Sequence, residues 1–282
     1  MNIDELVANS VELASLPDVC IRLNEGIDNP HFSAKDLADI LMLDTALTSI
    51  LLKIVNSSFY NFTAPIDTIS RAITVVGIDD LRSLVFAASS IGAFKNIATD
   101  LVDVNDFWVH SLYTAVAARR LAKHYSILHP ERLFIMGLLH DVGHLLMYHH
   151  LPKKSADVLM RTQGEPQMVA DVEQEVFGYD HAQVGARLLK SWRLSDNIIE
   201  AVNNHHNPTD TGDAVIEANI TYLANQMTTV FEHGMSVSSL MDEVDFKNLA
   251  INEISMEDME SLTLEIPALF TESKVIIAPL AV

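Results

Sequence analysis

His140 and Asp141 stand side by side in an otherwise apolar run, Phe134-Ile-Met-Gly-Leu-Leu-His140-Asp141-Val-Gly-His144-Leu-Leu-Met147. Imidazole and carboxylate together are a donor set for zinc, iron, manganese or nickel rather than calcium. A carboxylate placed in a core costs several kcal/mol unless it is paired, hydrogen-bonded or metal-bound. Asp141 therefore needs partners, and His110, His181, His205 and His206 are the candidates.

Each histidine alone has a second reading. His110 fits a half-buried side chain bonded to a backbone carbonyl, and His181 the first turn of a helix capped by Asp180. His205 and His206 fit a helix end, where imidazolium complements the dipole. Asp141 resists such a reading, because it interrupts an apolar face. His140 and His144 stand four apart, as two zinc ligands on one helix turn would, but the glutamate of a zinc-protease motif is absent, since Asp141 follows His140.

Helices must position these groups. Apolar residues recur at intervals of three and four over 34–44, 47–55, 81–94, 107–121, 133–147 and 184–192. Ser33, Asp44, Asp106, Asp180 and Ser195 stand where helix caps are expected. The strand-like Thr74-Val75-Val76 lies inside a helical pattern, so the fold class is all-α. Three zones follow: residues 1–100 are helical and poor in histidine, 101–230 hold ten of the twelve histidines, and 231–282 form an acidic helical extension. With no Gly-, Ser- or Pro-rich linker between them, the zones are expected to pack as one unit.

The 282 residues carry a formal charge of −20 with 49% hydrophobic content. That surface disfavours nucleic acid and anionic lipid, whose phosphates require a basic face. No apolar run reaches the roughly 18 residues of a membrane span. The acidic start, Met1-Asn-Ile-Asp-Glu-Leu, is unlike a secretory signal, so a cytoplasmic location is expected. The single cysteine, Cys20, is read as a packed, inert thiol, and no Gly-x-Ser-x-Gly elbow offers a nucleophile.

The run Gly137-Leu-Leu-His140-Asp141-Val-Gly143 resembles the signature of the HD superfamily of metal-dependent phosphohydrolases. Further motifs are similar to one branch of it, the HDOD domain of bacterial signalling proteins. They are Leu16-Pro17, Leu43-Asp44-Thr-Ala-Leu47, Val55-Asn56-Ser57-Ser58-Phe59-Tyr60, Ile69-Ser-Arg-Ala-Ile73 with Gly77-Ile78, and Tyr179-Asp-His181-Ala-Gln-Val-Gly185. Trp192-Arg-Leu194 and Ala201-Val-Asn-Asn-His205-His206 complete the resemblance, which covers about residues 10–230. It implies an HD-type helical bundle, with an N-terminal helical lobe packed on an HD-like lobe.

The related HD-GYP phosphodiesterases, which act on cyclic dinucleotides, imply a metal set. By that template His110, His140, Asp141, His181, His205 and His206 would hold one or two divalent ions (Fe, Mn, Zn, Ni or Mg). Two departures stand out. Asn225 occupies the place of a final metal aspartate, and His144 that of a lysine. The Gly-Tyr-Pro loop is also replaced, by Asn207-Pro208-Thr209-Asp210. The resemblance thus implies a regulatory module with a partly retained metal site rather than an efficient phosphodiesterase. Its partner would be a signalling protein or a small nucleotide ligand, and a homo-oligomer is compatible with it. The alternative is a metal-dependent phosphohydrolase acting on a phosphomonoester, nucleotide or cyclic (di)nucleotide, with Asp141 orienting the attacking water.

Overall fold

The computed structural model describes residues 1–10, 18–27, 32–57, 60, 62–94, 97, 99–163, 165, 168–208, 214–244 and 246–277. Leu16, Pro17, Ser58, Phe59, Thr209 and Asp210, named in the motifs above, lie outside the described residues. Among those described the chain is all-α, with no strand. In chain order the helices are α1 (Ile3–Asn9), α2 (Asp18–Ile27), α3 (Ala34–Leu41), α4 (Thr45–Val55), α5 (Ile69–Val76) and α6 (Ile78–Ala93). There follow α7 (Val104–His124), α8 (Pro130–Leu139), α9 (Val142–His150), α10 (Pro152–Thr162), α11 (Val169–Phe177) and α12 (His181–Ser191). The last are α13 (Asp196–Asn203), α14 (Val215–Glu232), α15 (Val237–Glu243) and α16 (Met256–Ser273). No helix is long and apolar enough to cross a membrane, among the described residues.

The chain forms two compact units. One comprises Met1–Glu12 and Ile97–Ile266, the other Leu13–Asn96 and Pro267–Val282. This division differs from the three sequence zones in two places. Helix α1 groups with the histidine-bearing segment, and the acidic end is shared, its residues up to Ile266 belonging to the first unit. Arg120 helps explain the second difference, because its guanidinium grips Glu265 of α16 through Nε at 2.6 Å and Nη2 at 3.1 Å.

In the second unit Leu23, Leu37, Leu41, Leu51, Ile54, Leu81 and Ile91 are fully buried. Asn56, from one of the HDOD-like motifs, clamps the loop after α4. Its side chain donates to Ile66 O at 2.6 Å and accepts from Ile66 N at 2.7 Å. That motif residue is structural rather than chemical.

In the first unit α7 runs between α8 and α14. Its small residues Ala115, Ala117, Ala118 and Ala122 are fully buried and permit close approach. Caps set the helix starts: Ser33, Asp44 and Asp180 each accept a backbone N–H three residues on. Ser195 stands at the N-cap of α13 without a side-chain cap bond. The expectation for Asp106 is corrected. Helix α7 begins a turn earlier, where Asp103 accepts from Asn105 N at 2.7 Å, which leaves Asp106 in the first turn.

A larger correction concerns the periodic run 133–147, which is two helices rather than one. Helix α8 ends at Leu139 and α9 begins at Val142, so His140 and Asp141 form the joint. Two close packings bracket it. A Cβ on Gly137 would lie 2.8 Å from Ala115 Cα and Thr114 O of α7. A Cβ on Gly143 would lie 2.0 Å from His181 O of α12. These tertiary contacts, one on each side of the joint, override a local pattern that reads as continuous helix.

Candidate metal centre

Asp141 stands at the joint as N-cap residue of α9, and four imidazoles point at its carboxylate. His110 Nε2 of α7 lies 3.7 Å from Oδ2, and His140 Nε2 lies 3.2 Å from the same oxygen. His181 Nε2, at the start of α12, lies 3.2 Å from Oδ1, and His205 Nε2, just past α13, lies 3.4 Å from it. His206 completes the group, its Nε2 being 2.8 Å from His181 Nε2. All six expected residues therefore meet at one place. Asn225, from α14, lines the same cavity.

In the four rings aimed at Asp141, each Nδ1 is bonded outward to an oxygen. His140 Nδ1 donates to Gly137 O at 2.8 Å, and His205 Nδ1 to Val202 O at 2.7 Å. Both carbonyls belong to the last turn of a helix, where no intrahelical donor is left for them. His181 Nδ1 meets Glu173 Oε2 at 2.6 Å, and His110 Nδ1 meets Glu232 Oε2 at 3.0 Å. An acceptor on Nδ1 keeps a proton there and turns Nε2 toward Asp141, where a neutral ring would offer its lone pair.

For His140 and His205 this creates an unresolved polarity. Both rings are fully buried, and neither Nε2 has a hydrogen-bond partner. Each Nε2 faces an oxygen of Asp141, His140 at 3.2 Å and His205 at 3.4 Å. Burial, opposed by Asp141, pushes His140 down to about 4, so its ring is neutral near pH 7. A divalent cation would satisfy these lone pairs and the carboxylate together. The donor set fits such an ion. Asp141, His181, His205 and His206 form one cluster of suitable spacing, and His110, His140 and Asp141 another.

The electrostatics follow from this geometry. Burial works to raise the Asp141 pKa, but His140, His181 and His205 overcome it and hold the carboxyl well below its usual range. Burial works to lower His181, yet Glu173 and Asp141 hold that ring well above its usual range. For His206, burial and the neighbouring histidines outweigh Asp141 and keep the ring well below its usual range.

Two glutamates were not singled out by sequence reasoning. Glu173 of α11 is buried, bonds His181 through Oε2, and places Oε1 3.2 Å from His144 Nδ1. His181 and His144 stack with centroids 3.7 Å apart. His144 thus serves Glu173 rather than pairing with His140, from which the helix joint separates it. Glu232 closes α14 and orients His110. The available signal was Glu173 lying eight residues before His181 on an amphipathic helix, but nothing in that spacing points inward rather than to solvent.

A cavity of about 490 Å³ opens onto the cluster. Asp103, Asp106, Phe107 and His110 line one side at helical intervals along α7, and Asn225, Gln226, Thr229 and Glu232 do the same along α14. Asn225 Oδ1 is buried without a hydrogen-bond partner.

A family model for the HDOD domain matches residues 13–208, most of the chain. The chain belongs to the HDOD domain family. The matched segment of this HDOD protein contains His110, His140, Asp141, Glu173, His181, His205 and His206, while Asn225 and Glu232 lie beyond it. An uncharacterized protein of Treponema pallidum (strain Nichols) is 26% identical over 202 residues, 70% of this chain and 38% of that protein. The chain thus spans less than two fifths of that relative's length. Among solved structures, an HDOD domain protein of unknown function from Geobacter sulfurreducens has a TM-score of 0.79 at 23% identity, covering 97% of this chain and 96% of that one. A Shewanella amazonensis SB2B protein, provisionally named a phosphohydrolase, has a TM-score of 0.77 at 24% identity, covering 96% and 98%. These likenesses establish the shared fold.

Proposed function

We propose that this HDOD protein is a regulatory module that binds one or two divalent ions at Asp141 and reads a small phosphorylated ligand there, without efficient turnover. Its output would pass to a signalling partner in the cytoplasm. One observation carries the reading: four Nε2 atoms converge on Asp141 while every opposite Nδ1 is tied outward. Two of these, His140 Nε2 and His205 Nε2, are buried without a hydrogen-bond partner, a cost that a bound cation would remove. His110, His140 and Asp141 would hold one ion, and Asp141, His181, His205 and His206 would hold another.

When bound, a divalent ion supplies Lewis acidity toward a phosphoryl oxygen and acidifies a coordinated water. The residues themselves limit turnover. Asn225 offers a neutral amide oxygen where a carboxylate would add charge to the ligand set. His144 is held by Glu173, and its imidazole takes the place where the template has a lysine. The specific observation favouring the alternative, a working phosphohydrolase, is that Asp141 retains all five histidines around it. In that case Asp141 would also orient the attacking water.

Metal content of protein purified without added metal, followed by phosphodiesterase and phosphomonoesterase assays with Mn²⁺, Fe²⁺ and Ni²⁺, separates the two. Stoichiometric metal without turnover is the expected result. Turnover abolished by Asp141→Ala would establish the enzyme instead, and protein that takes up no metal would overturn both.

A further inference from the structure

The carboxylates around the cavity bear on which phosphorylated ligand could enter. Asp103, Asp106, Asp141 and Glu232 line it, and among the described lining residues none is lysine or arginine. Glu173 adds a further carboxylate directly behind His181. Imidazoles that hold metal are neutral. Two divalent ions would bring four positive charges against these five carboxylates, so even the fully loaded site has no net positive charge. Phosphate-binding sites ordinarily rely on arginine, lysine or a helix N-terminus to meet each additional negative group. The starts of α7, α9 and α12 also reach the cavity, but each carries an aspartate at its N-cap, Asp103, Asp141 and Asp180, so a further phosphate would depend mainly on the ions.

The rim has the opposite character. Asp103 and Asp106 are exposed along the first turns of α7, with Phe107 beside them and the buried Tyr148 contributing to the lining. Carboxylates with aromatic rings are a surface suited to cations, through Coulomb attraction and the ring quadrupole. The volume of about 490 Å³ lies within the range of small-ligand sites, roughly 300–1,000 Å³.

Resting on the metal-centre reading above, we propose that the cavity selects a phosphoester whose remainder is uncharged or cationic, and rejects one whose remainder carries further negative charge. The phosphate would face the ions, and the remainder would lie along Asp103, Asp106 and Phe107. A site of this kind disfavours nucleoside polyphosphates and cyclic dinucleotides, which bring two or more phosphate groups.

Three probes with the same phosphate head and different remainders test this: phosphocholine, glycerol 3-phosphate and 3-phosphoglycerate. They are titrated calorimetrically into the full chain loaded with Mn²⁺, its metal content measured beforehand. Phosphocholine is expected to bind at least about tenfold more tightly than 3-phosphoglycerate, with glycerol 3-phosphate between them. Raising the salt to about 0.5 M should shrink that spread, because rim charges are screened within a Debye length. The double variant Asp103→Asn with Asp106→Asn should reduce it to within about threefold, while the amide of the first substitution keeps an oxygen for the α7 cap. Equal or tighter binding of 3-phosphoglycerate would overturn the proposal, as would a spread indifferent to salt and to the variant. Binding of none of the probes by metal-loaded protein would overturn it while leaving the metal centre intact. Failure to load metal would remove the reading on which it rests, and the proposal with it.

Discussion

Glu173 holds His181 by two bonds to one oxygen: Oε2 accepts from the His181 backbone N–H at 2.8 Å and from ring Nδ1 at 2.6 Å. Asp180 caps α12, and the glutamate anchors its first residue and sets which way that side chain points. The ring's other nitrogen is aimed at Asp141 as a consequence.

Removing that support should cost metal binding more than folding. Orienting partners of this kind are worth about 10–100-fold in metal affinity. Glu173→Ala is expected to weaken Mn²⁺ binding by that factor, and Glu173→Gln, which keeps an accepting oxygen, by less. Calorimetric titration of both variants checks the order, and circular dichroism checks that they fold. Equal affinity for Glu173→Ala and the unmodified chain would rule out the orienting role.

Gly143 lets α9 approach α12 closely, since a Cβ there would meet His181 O at 2.0 Å. Backbone cannot yield as a flexible side chain does. Gly143→Ala is expected to destabilise the protein by about 1–3 kcal/mol, the usual cost of overpacking a close-packed core. It should also weaken metal binding, because Asp141 and His181 sit on the helices forced apart. Urea unfolding followed by metal titration measures both effects.

Asn225→Asp restores a carboxylate at a position whose Oδ1 has no hydrogen-bond partner. With metal absent, the added negative charge beside Asp141 and Glu232 should lower the melting temperature. Metal should bind about tenfold more tightly, ~1.4 kcal/mol, and restore stability by mass action. Melting curves of both proteins with and without Mn²⁺ test the sign. A variant that gains no affinity would show that this position contributes nothing to the ligand set.

Cys20 gives a prediction in pH. Burial, reinforced by Asp44 and only partly opposed by a Ser89 bond, pushes its thiol from 9.0 up to about 12. The folded pKa is thus above the unfolded one. The stability tied to this thiol is fully present below about pH 9 and is lost as pH rises from about 9 toward about 12. At pH 8 the native protein should leave iodoacetamide almost unreacted, and urea-unfolded protein should react fully. Fast alkylation of the native form would contradict the buried setting.

The sequence by itself determined the fold class, the caps Ser33, Asp44 and Asp180, and the residue types of the centre. Local periodicity and capping chemistry suffice for helices, and a buried His-Asp pair announces that partners must exist. Sequence could not decide how those partners meet. The run 133–147 has an unbroken helical pattern, yet it breaks at His140 and Asp141 between contacts made by Gly137 and Gly143, residues that interact with segments distant in the chain. Glu173 and Glu232 look like any other glutamates on amphipathic helices. Only the packing of α11 on α12, and of α14 on α7, turns them inward against His181 and His110. Two ring orientations are local, set for His140 and His205 by carbonyls three residues earlier, whereas those of His181 and His110 wait for glutamates on other helices.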